Sequence, residues 1–395
     1  MIEVILKKGK EKAVLHKHPW VFSGAIEKVM GKPANGDIVR LVDSKSDFMA
    51  YGFYNDQSRV ALRLLEWDES VEINEQWFRE KVAVAVAGRS NILADGITNT
   101  CRLIFSESDY LPGLIVDKYA GHLAVQVLTS GIQKIMPVII DELQQLLKPE
   151  SIFDKSDASS RDHEGLETLN TALTINHPPD RVQVIENGIR YNINIAEGQK
   201  SGFYCDQRDN RKIVASYAKG KKVLDCFSYT GGFALNALKN GAASVTAVDS
   251  SALAIETLRE NIALNDFDAD KVTTITSDVN KQLRTFRDEG NLFDIVVLDP
   301  PKYAPSRSSL DKASRAYKDL NRLGMLLLNK GGLLATYSCS GAMNMETFKQ
   351  VLAWAALDAG KQVQFIHQFC QPEDHPVRAS FSEGEYLKGL LCRVF

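Results

Sequence analysis

The stretch from Val223 to Asp249 constrains this chain most. An apolar strand (Val223, Leu224) runs into a turn of small residues (Asp225 to Gly232), an apolar helix (Phe233 to Leu238) and a second strand that stops at an acid (Val245 to Asp249). This is half of a dinucleotide-type βαβ unit. Its small-residue turn lets backbone approach a ligand, and the acid ending the second strand accepts hydrogen bonds from ribose hydroxyls. The turn holds Gly231 and Gly232 but lacks the three spaced glycines of the nicotinamide fingerprint. It also lacks a P-loop lysine, which disfavours nucleoside triphosphates. On pattern alone, an ordinary α/β crossover with a tight turn stays open.

The residues that follow extend the unit into a sheet. Helix Ala252 to Asn265 leads to strand Val272 to Ile275 and Asp278, and the buried strand Phe293 to Asp299 ends in Asp-Pro-Pro-Lys (299–302). A helix running through Asn329 precedes the strand and turn from Gly331 to Gly341, which carry Cys339. Helix Met345 to Ala359 is followed by two β runs, Val363 to Cys370 and Tyr386 to Phe395, that pair as an antiparallel edge. Strands alternating with helices and closed by such a pair describe a doubly wound sheet. Ligands bind such a sheet beyond the carboxyl ends of its strands. Four successive strand ends supply Asp225, Asp249, Asp278 and Asp299, and a fifth supplies Cys339.

Upstream, the character differs. From Glu3 to about Glu66, apolar runs of four to seven residues bounded by Gly, Asn, Asp and Ser read as strands of a small barrel or sandwich. A helix over 74–93, strands around Cys101–Phe105, Gly113–Asp117 and Leu123–Leu128, a helix over 132–147 and a strand at Ser151–Asp154 form an α+β module. Residues 158–179 read as a linker or exposed loop, and Val184 to Ile195 as a hairpin about an Asn-Gly turn. The 395 residues suggest two or three domains, and 44% hydrophobic with 25% charged residues is the balance of a globular protein. No run of eighteen apolar residues predicts a membrane span, and no signal-peptide core opens the chain. Six scattered cysteines form no CxxC pair, so no metal site is expected and a reducing cytoplasm fits. The net charge of −3 argues against wholesale coating of nucleic acid but averages over the chain, and residues 1–32 carry seven lysines against three glutamates. That face reads equally as a nucleic-acid contact or as a solvated surface.

The order of small-residue turn, Asp249, Asp278, Asp-Pro-Pro-Lys and Thr336-Tyr-Ser-Cys339-Ser resembles the class I S-adenosylmethionine-dependent methyltransferases. Four further stretches narrow the likeness: Phe227-Ser-Tyr-Thr-Gly-Gly-Phe233, Ser201-Gly-Phe-Tyr-Cys-Asp-Gln-Arg208, Ser106-Glu-Ser-Asp-Tyr-Leu-Pro-Gly113 and His18-Pro-Trp-Val-Phe-Ser-Gly24. Together they resemble the bacterial 23S ribosomal RNA cytosine-C5 methyltransferases from end to end. The resemblance implies a small β-rich PUA domain for RNA over 1–70 and a central α+β domain over 71–182. Over 183–395 it implies a Rossmann-like methyltransferase domain, whose seven-stranded, mostly parallel sheet has a reversed last strand. It implies S-adenosylmethionine as cofactor and 23S ribosomal RNA, free or partly assembled, as partner; no membrane partner is expected and a homodimer is left open.

The implied cofactor site comprises Asp225, Phe227, Ser228, Thr230, Gly231, Gly232, Asp249, Ser250, Asp278, Asp299 and Pro300, with Gln207 and Arg208 on a loop over it. Carbon 5 of cytosine is a poor nucleophile, and addition of a cysteine thiolate to carbon 6 activates it. Cys339 is the candidate thiolate, with Cys226 its competitor. Asp299 would hydrogen-bond the cytosine amino group or ring nitrogen. Lys302 would favour the thiolate or contact phosphate, with a plain surface lysine as the alternative. The best-studied enzymes of this chemistry often carry a second cysteine where this chain has Pro301, which leaves the base for the carbon-5 proton unassigned. Trp20 would serve in stacking on an unstacked base, and His375 fits a structural turn better than a substrate contact. Methylation of an exocyclic purine nitrogen and a noncatalytic RNA-binding assembly factor are the alternatives.

Overall fold

In the computed structural model, residues 2–167, 175–198, 200–304 and 307–395 are described. The chain falls into two units. One gathers Met1–Val182, Asn194–Cys205 and Glu373–Gly384; the other gathers Gln183–Ile193, Asp206–Pro372 and Glu385–Phe395. Among the described residues no helix is long and apolar enough to cross a membrane.

The second unit is built on a seven-stranded sheet, whose strands we label β1 (Lys222–Cys226), β2 (Ser244–Asp249), β3 (Val272–Thr276), β4 (Phe293–Leu298), β5 (Leu328–Ser338), β6 (Val363–Phe369) and β7 (Lys388–Val394). Their spatial order is β3-β2-β1-β4-β5-β7-β6. β7 runs antiparallel to both its neighbours, while β1 to β5 are parallel to one another. The reversal of order on either side of β1 opens a crevice at the carboxyl ends of β1 and β4, where ligands bind in such sheets. Register aligns these ends: Asp225 of β1 lies opposite Ala247 of β2 and Val297 of β4.

The sequence explains the boundaries. β4 reads Phe-Asp-Ile-Val-Val-Leu, is apolar on both faces, and stops before Pro300-Pro301, which cannot donate to a ladder. Three of the helices packed on the sheet start on side-chain caps. Ser251 accepts from Ala254 N at 3.2 Å, Asp278 from Lys281 N at 2.8 Å and Asn344 from Thr347 N at 2.8 Å. Helix Met345–Ala359 ends at Gly360, whose φ of 62° suits a C-terminal glycine. The core between sheet and helices includes Leu224, Val296, Leu298, Leu320, Leu323, Phe348 and Leu352.

The first unit carries a six-stranded sheet over residues 3–66 and a four-stranded sheet over residues 100–154. Three expectations need correction here and in the second unit. The helix expected over 74–93 is two, Glu75–Ala87 and Ser90–Ala94. They break where Arg89 turns inward to bind Asp109 through Nη2 at 2.6 Å. The helix expected to run through Asn329 stops at Leu326, and β5 has already begun at Leu328. The expected linker is folded at its start: Ala158–Asp162 is helical, and buried Arg161 donates to the Val127 carbonyl at 2.8 Å. Residues 168–174 of that stretch, and Gln199 just before the Ser201–Arg208 motif, lie outside the described residues.

Candidate active site at the carboxyl ends of the strands

After β1 the chain makes the loop Phe227–Gly231 before helix Gly232–Lys239. Phe227, Tyr229 and Gly231 adopt φ of 61°, 47° and 94°. Two non-glycine residues in the left-handed region are a cost that surrounding contacts must offset. Asp249 supplies one such contact: its Oδ2 accepts from Tyr229 N at 2.9 Å, and its Oδ1 from Ser251 N at 2.9 Å. The acid expected to meet ribose therefore also holds the loop. Each carboxylate oxygen keeps a second lone pair for a ligand.

Asp225 is 1% exposed, and its Oδ2 accepts from Ala234 N at 2.9 Å. Burial pushes its pKa up to about 8; the Ala234 bond opposes this, while Asp299 and Asp249 add repulsion that Arg211 partly offsets. Its Oδ1, with Ser228 Oγ and Thr230 Oγ1, is buried without a hydrogen-bond partner among the described residues. Three orphaned polar atoms around one strained loop fit a ligand that brings its own donors. The ammonium of an amino-acid moiety answers that need at Asp225. The residues present therefore fit S-adenosylmethionine.

Behind the loop stands Arg211, which none of the sequence motifs marks. Its guanidinium binds buried Glu186 at 2.7 Å and lies 6.0 Å from the Phe233 ring centroid. Glu186 belongs to strand Val182–Glu186, which pairs with Ile189–Ile193 through Asn187 and Gly188, both at positive φ. Gly232 is required here, because a Cβ would sit 2.5 Å from Arg211 Nε. Arg211 lies one turn along the helix from Arg208, the only available signal. Gln207 and Arg208 are buried at that helix start, where Gln207 Oε1 accepts from Asn210 at 2.7 Å and Arg208 binds Asp209 at 3.1 Å.

The second half of the site joins β4 to β5. Asp299 is half-buried, Pro300 buried, and Lys302 exposed. Cys339 follows β5 and is half-buried, whereas Cys226 is fully buried in the sheet core, where burial drives its thiol well above the usual range. Ser340 fastens the two loops, accepting from Ala304 N at 3.1 Å and meeting the Tyr317 hydroxyl at 3.2 Å. Buried Tyr337, 5.4 Å from Phe233 and 5.2 Å from Phe369 between ring centroids, is acted on by Asp299, Arg211 and Asp225. The structure thus gathers Asp225, Asp249 and Asp299 with the 227–232 loop. Asp278 and Ser250 are exposed beside it, and Asp278 acts on Tyr303. Outside this unit, Trp20 spends its indole N–H on Glu107 at 2.8 Å, and His375 is buried against Asp374 and Phe105.

Residues 4–67 match the PUA-like domain family, and residues 170–390 match the S-adenosylmethionine-dependent methyltransferase family. The chain is 42% identical over 393 residues to ribosomal RNA large subunit methyltransferase I of Escherichia coli O9:H4 (strain HS), covering 100% of this chain and 99% of that one. It is 43% identical over 395 residues to the protein of the same name from Shewanella frigidimarina (strain NCIMB 400), each covered in full. The crystal structure of SMU.776 complexed with SAH superposes with a TM-score of 0.86 at 21% identity, with each chain covered in full, a likeness of fold.

Proposed function

This chain belongs to the ribosomal RNA large subunit methyltransferase I family, S-adenosylmethionine-dependent methyltransferases with a PUA-like domain, and from that premise we propose that it methylates carbon 5 of a cytosine in 23S ribosomal RNA through a Cys339 adduct. The observation that carries this reading is the placement of Cys339. It is the half-buried thiol at a strand end, tied through Ser340 to the loop of Asp299 and Lys302, while Cys226 is sealed in the core.

S-adenosylmethionine, when bound, supplies the electrophilic methyl group that carbon 5 accepts. Asp225, Phe227, Ser228, Thr230, Gly231 and Gly232 would hold its amino-acid end, and Asp249, Ser250, Asp278 and Pro300 its nucleoside end, with Gln207 and Arg208 supporting the wall behind. The Cys339 thiolate forms a sulfur–carbon bond at carbon 6, and the displaced π pair makes carbon 5 nucleophilic. Asp299 hydrogen-bonds the amino edge of cytosine and orients the ring. Lys302, exposed beside this loop, meets the backbone phosphate. After carbon 5 is methylated, a base takes its proton, and the released pair restores the double bond as the thiolate leaves. The target must be unstacked, because carbon 6 of a base inside a helix is out of a thiol's reach.

The test is methyl-labelled S-adenosylmethionine with unmethylated 23S RNA and either wild-type protein or Cys339→Ala, followed by nucleoside analysis. Label in 5-methylcytidine that is lost in the variant is expected. Label in a methylated purine, or equal activity in the variant, would move the assignment to nitrogen methylation.

A further inference from the structure

Lys388 opens β7 opposite Ser338, the last residue of β5, and only 4% of it is exposed. A lysine ammonium withdrawn from water is costly unless acceptors and opposite charge replace the solvent. Its Nζ donates to the Ser340 carbonyl at 2.9 Å and to the Tyr386 carbonyl at 2.7 Å. An ammonium has three N–H donors, so two carbonyls do not exhaust it.

Both acceptors are neutral, and no carboxylate among the described residues forms an ion pair with this lysine. The groups acting on its charge come from three directions. Cys339 after β5 and Glu385 before β7 favour the ammonium, and Lys302 from the loop after β4 opposes it, while burial lowers its pKa most. Tyr317 also meets the turn, its hydroxyl 3.2 Å from Ser340 Oγ; burial keeps that hydroxyl protonated, and Cys339 would oppose its charge. The carbonyl that Lys388 grips belongs to the residue after Cys339. Its positive end is thus fixed against the turn that carries the thiol.

We propose that Lys388 is a positioning residue for Cys339: its buried ammonium clamps the turn after β5 through the Ser340 carbonyl and supplies the positive charge that stabilises the Cys339 thiolate. This rests on the reading of Cys339 as the nucleophile. It gives the sheet's reversed strand a chemical task. The same charge stabilises the thiolate both as it attacks carbon 6 and as it leaves.

The experiment is carboxamidomethylation of the full-length protein by iodoacetamide between pH 5 and 10, with the modified cysteines located by peptide mass spectrometry. Wild-type Cys339 is expected to react with a midpoint below the ordinary thiol value of about 8.5. In Lys388→Met, and in Lys388→Gln, which keeps donors without charge, the midpoint rises by about one unit or more. Exposed Cys370 serves as the internal reference. A wild-type midpoint at or above the ordinary value overturns the proposal even if neither variant folds, as does an unchanged midpoint in folded variants. The assay contains no RNA or cofactor, so its outcome is separate from that of the Cys339→Ala methylation test.

Discussion

The backbone N–H of Ala304 donates to the Ser340 hydroxyl at 3.1 Å and so fastens the loop after β4 to the turn after β5. The first carries Asp299 and Lys302, the second Cys339, and they come from strands that are neighbours in the sheet. Removing the hydroxyl leaves a buried N–H without this acceptor, a loss of about 1–3 kcal/mol. Ser340→Ala is expected to lower kcat for methyl transfer by about tenfold through lost alignment. Its Kd for S-adenosylmethionine should stay within about twofold, because the 227–232 loop is held by Asp249 instead. Calorimetric titration beside single-turnover kinetics separates the two.

Asp225 ties stability to pH. Its pKa is about 8 in the folded chain against 3.8 for the free group, so between those values the folded state holds a proton that the unfolded state releases. The stabilisation is full below the lower value and is lost as pH rises through the upper one. Asp225→Asn, which cannot titrate, should therefore gain in Tm relative to wild type on going from pH 5.5 to 8.5. The same variant should bind S-adenosylmethionine at least about tenfold more weakly at pH 8.5, since an amide offers no charge to an ammonium. Thermal unfolding at both pH values, with and without ligand, reads both effects.

Gly232→Ala places a methyl 2.5 Å from Arg211 Nε. A free arginine would swing away, but this one is buried and bound to Glu186 at 2.7 Å. The expected cost is about 1–3 kcal/mol in urea denaturation. A loss of cofactor affinity should accompany it, because the helix start moves with the loop.

Arg211 and Glu186 form a buried pair, 5% and 0% exposed at their side chains. Burial acts against the guanidinium, and Glu186 more than restores its charge. Arg211→Met strands a carboxylate in the interior and should cost about 3–5 kcal/mol, and Glu186→Met a similar amount. The double variant is expected to recover a large part of either loss. A double-mutant cycle by denaturation measures the coupling.

The sheet was legible because its signals are local. Apolar runs such as Phe293–Leu298 and acids at 225, 249, 278 and 299 mark both the strands and the ends at which ligands gather. Helix Met345–Ala359 has the bounds expected of it, and Asn344 and Gly360 cap its ends. Residues whose roles depend on partners distant in sequence were not legible. Glu186 meets Arg211 across 25 positions, and Lys388 meets Ser340 across 48. A lysine inside the apolar run Tyr386–Phe395 was a signal in plain view, but period-two reasoning assigns it to a wet face when it is in fact buried. The break at Arg89 was hidden for the same reason, since its partner Asp109 lies beyond the next strand.

The order of the sheet also fixes the order in which it can be completed. β5 and β6 are both made before the strand that separates them, and β7 pairs with each over seven residues or nearly so. A nascent chain that has not reached Lys388 leaves β5 with an open edge and β6 without a partner strand, their peptide groups turned to water or to other chains. Translation pausing or premature termination in this interval would therefore yield a half-finished sheet prone to adhesive pairing. The same seven residues that close the edge of β5 also carry Lys388 to the turn after it.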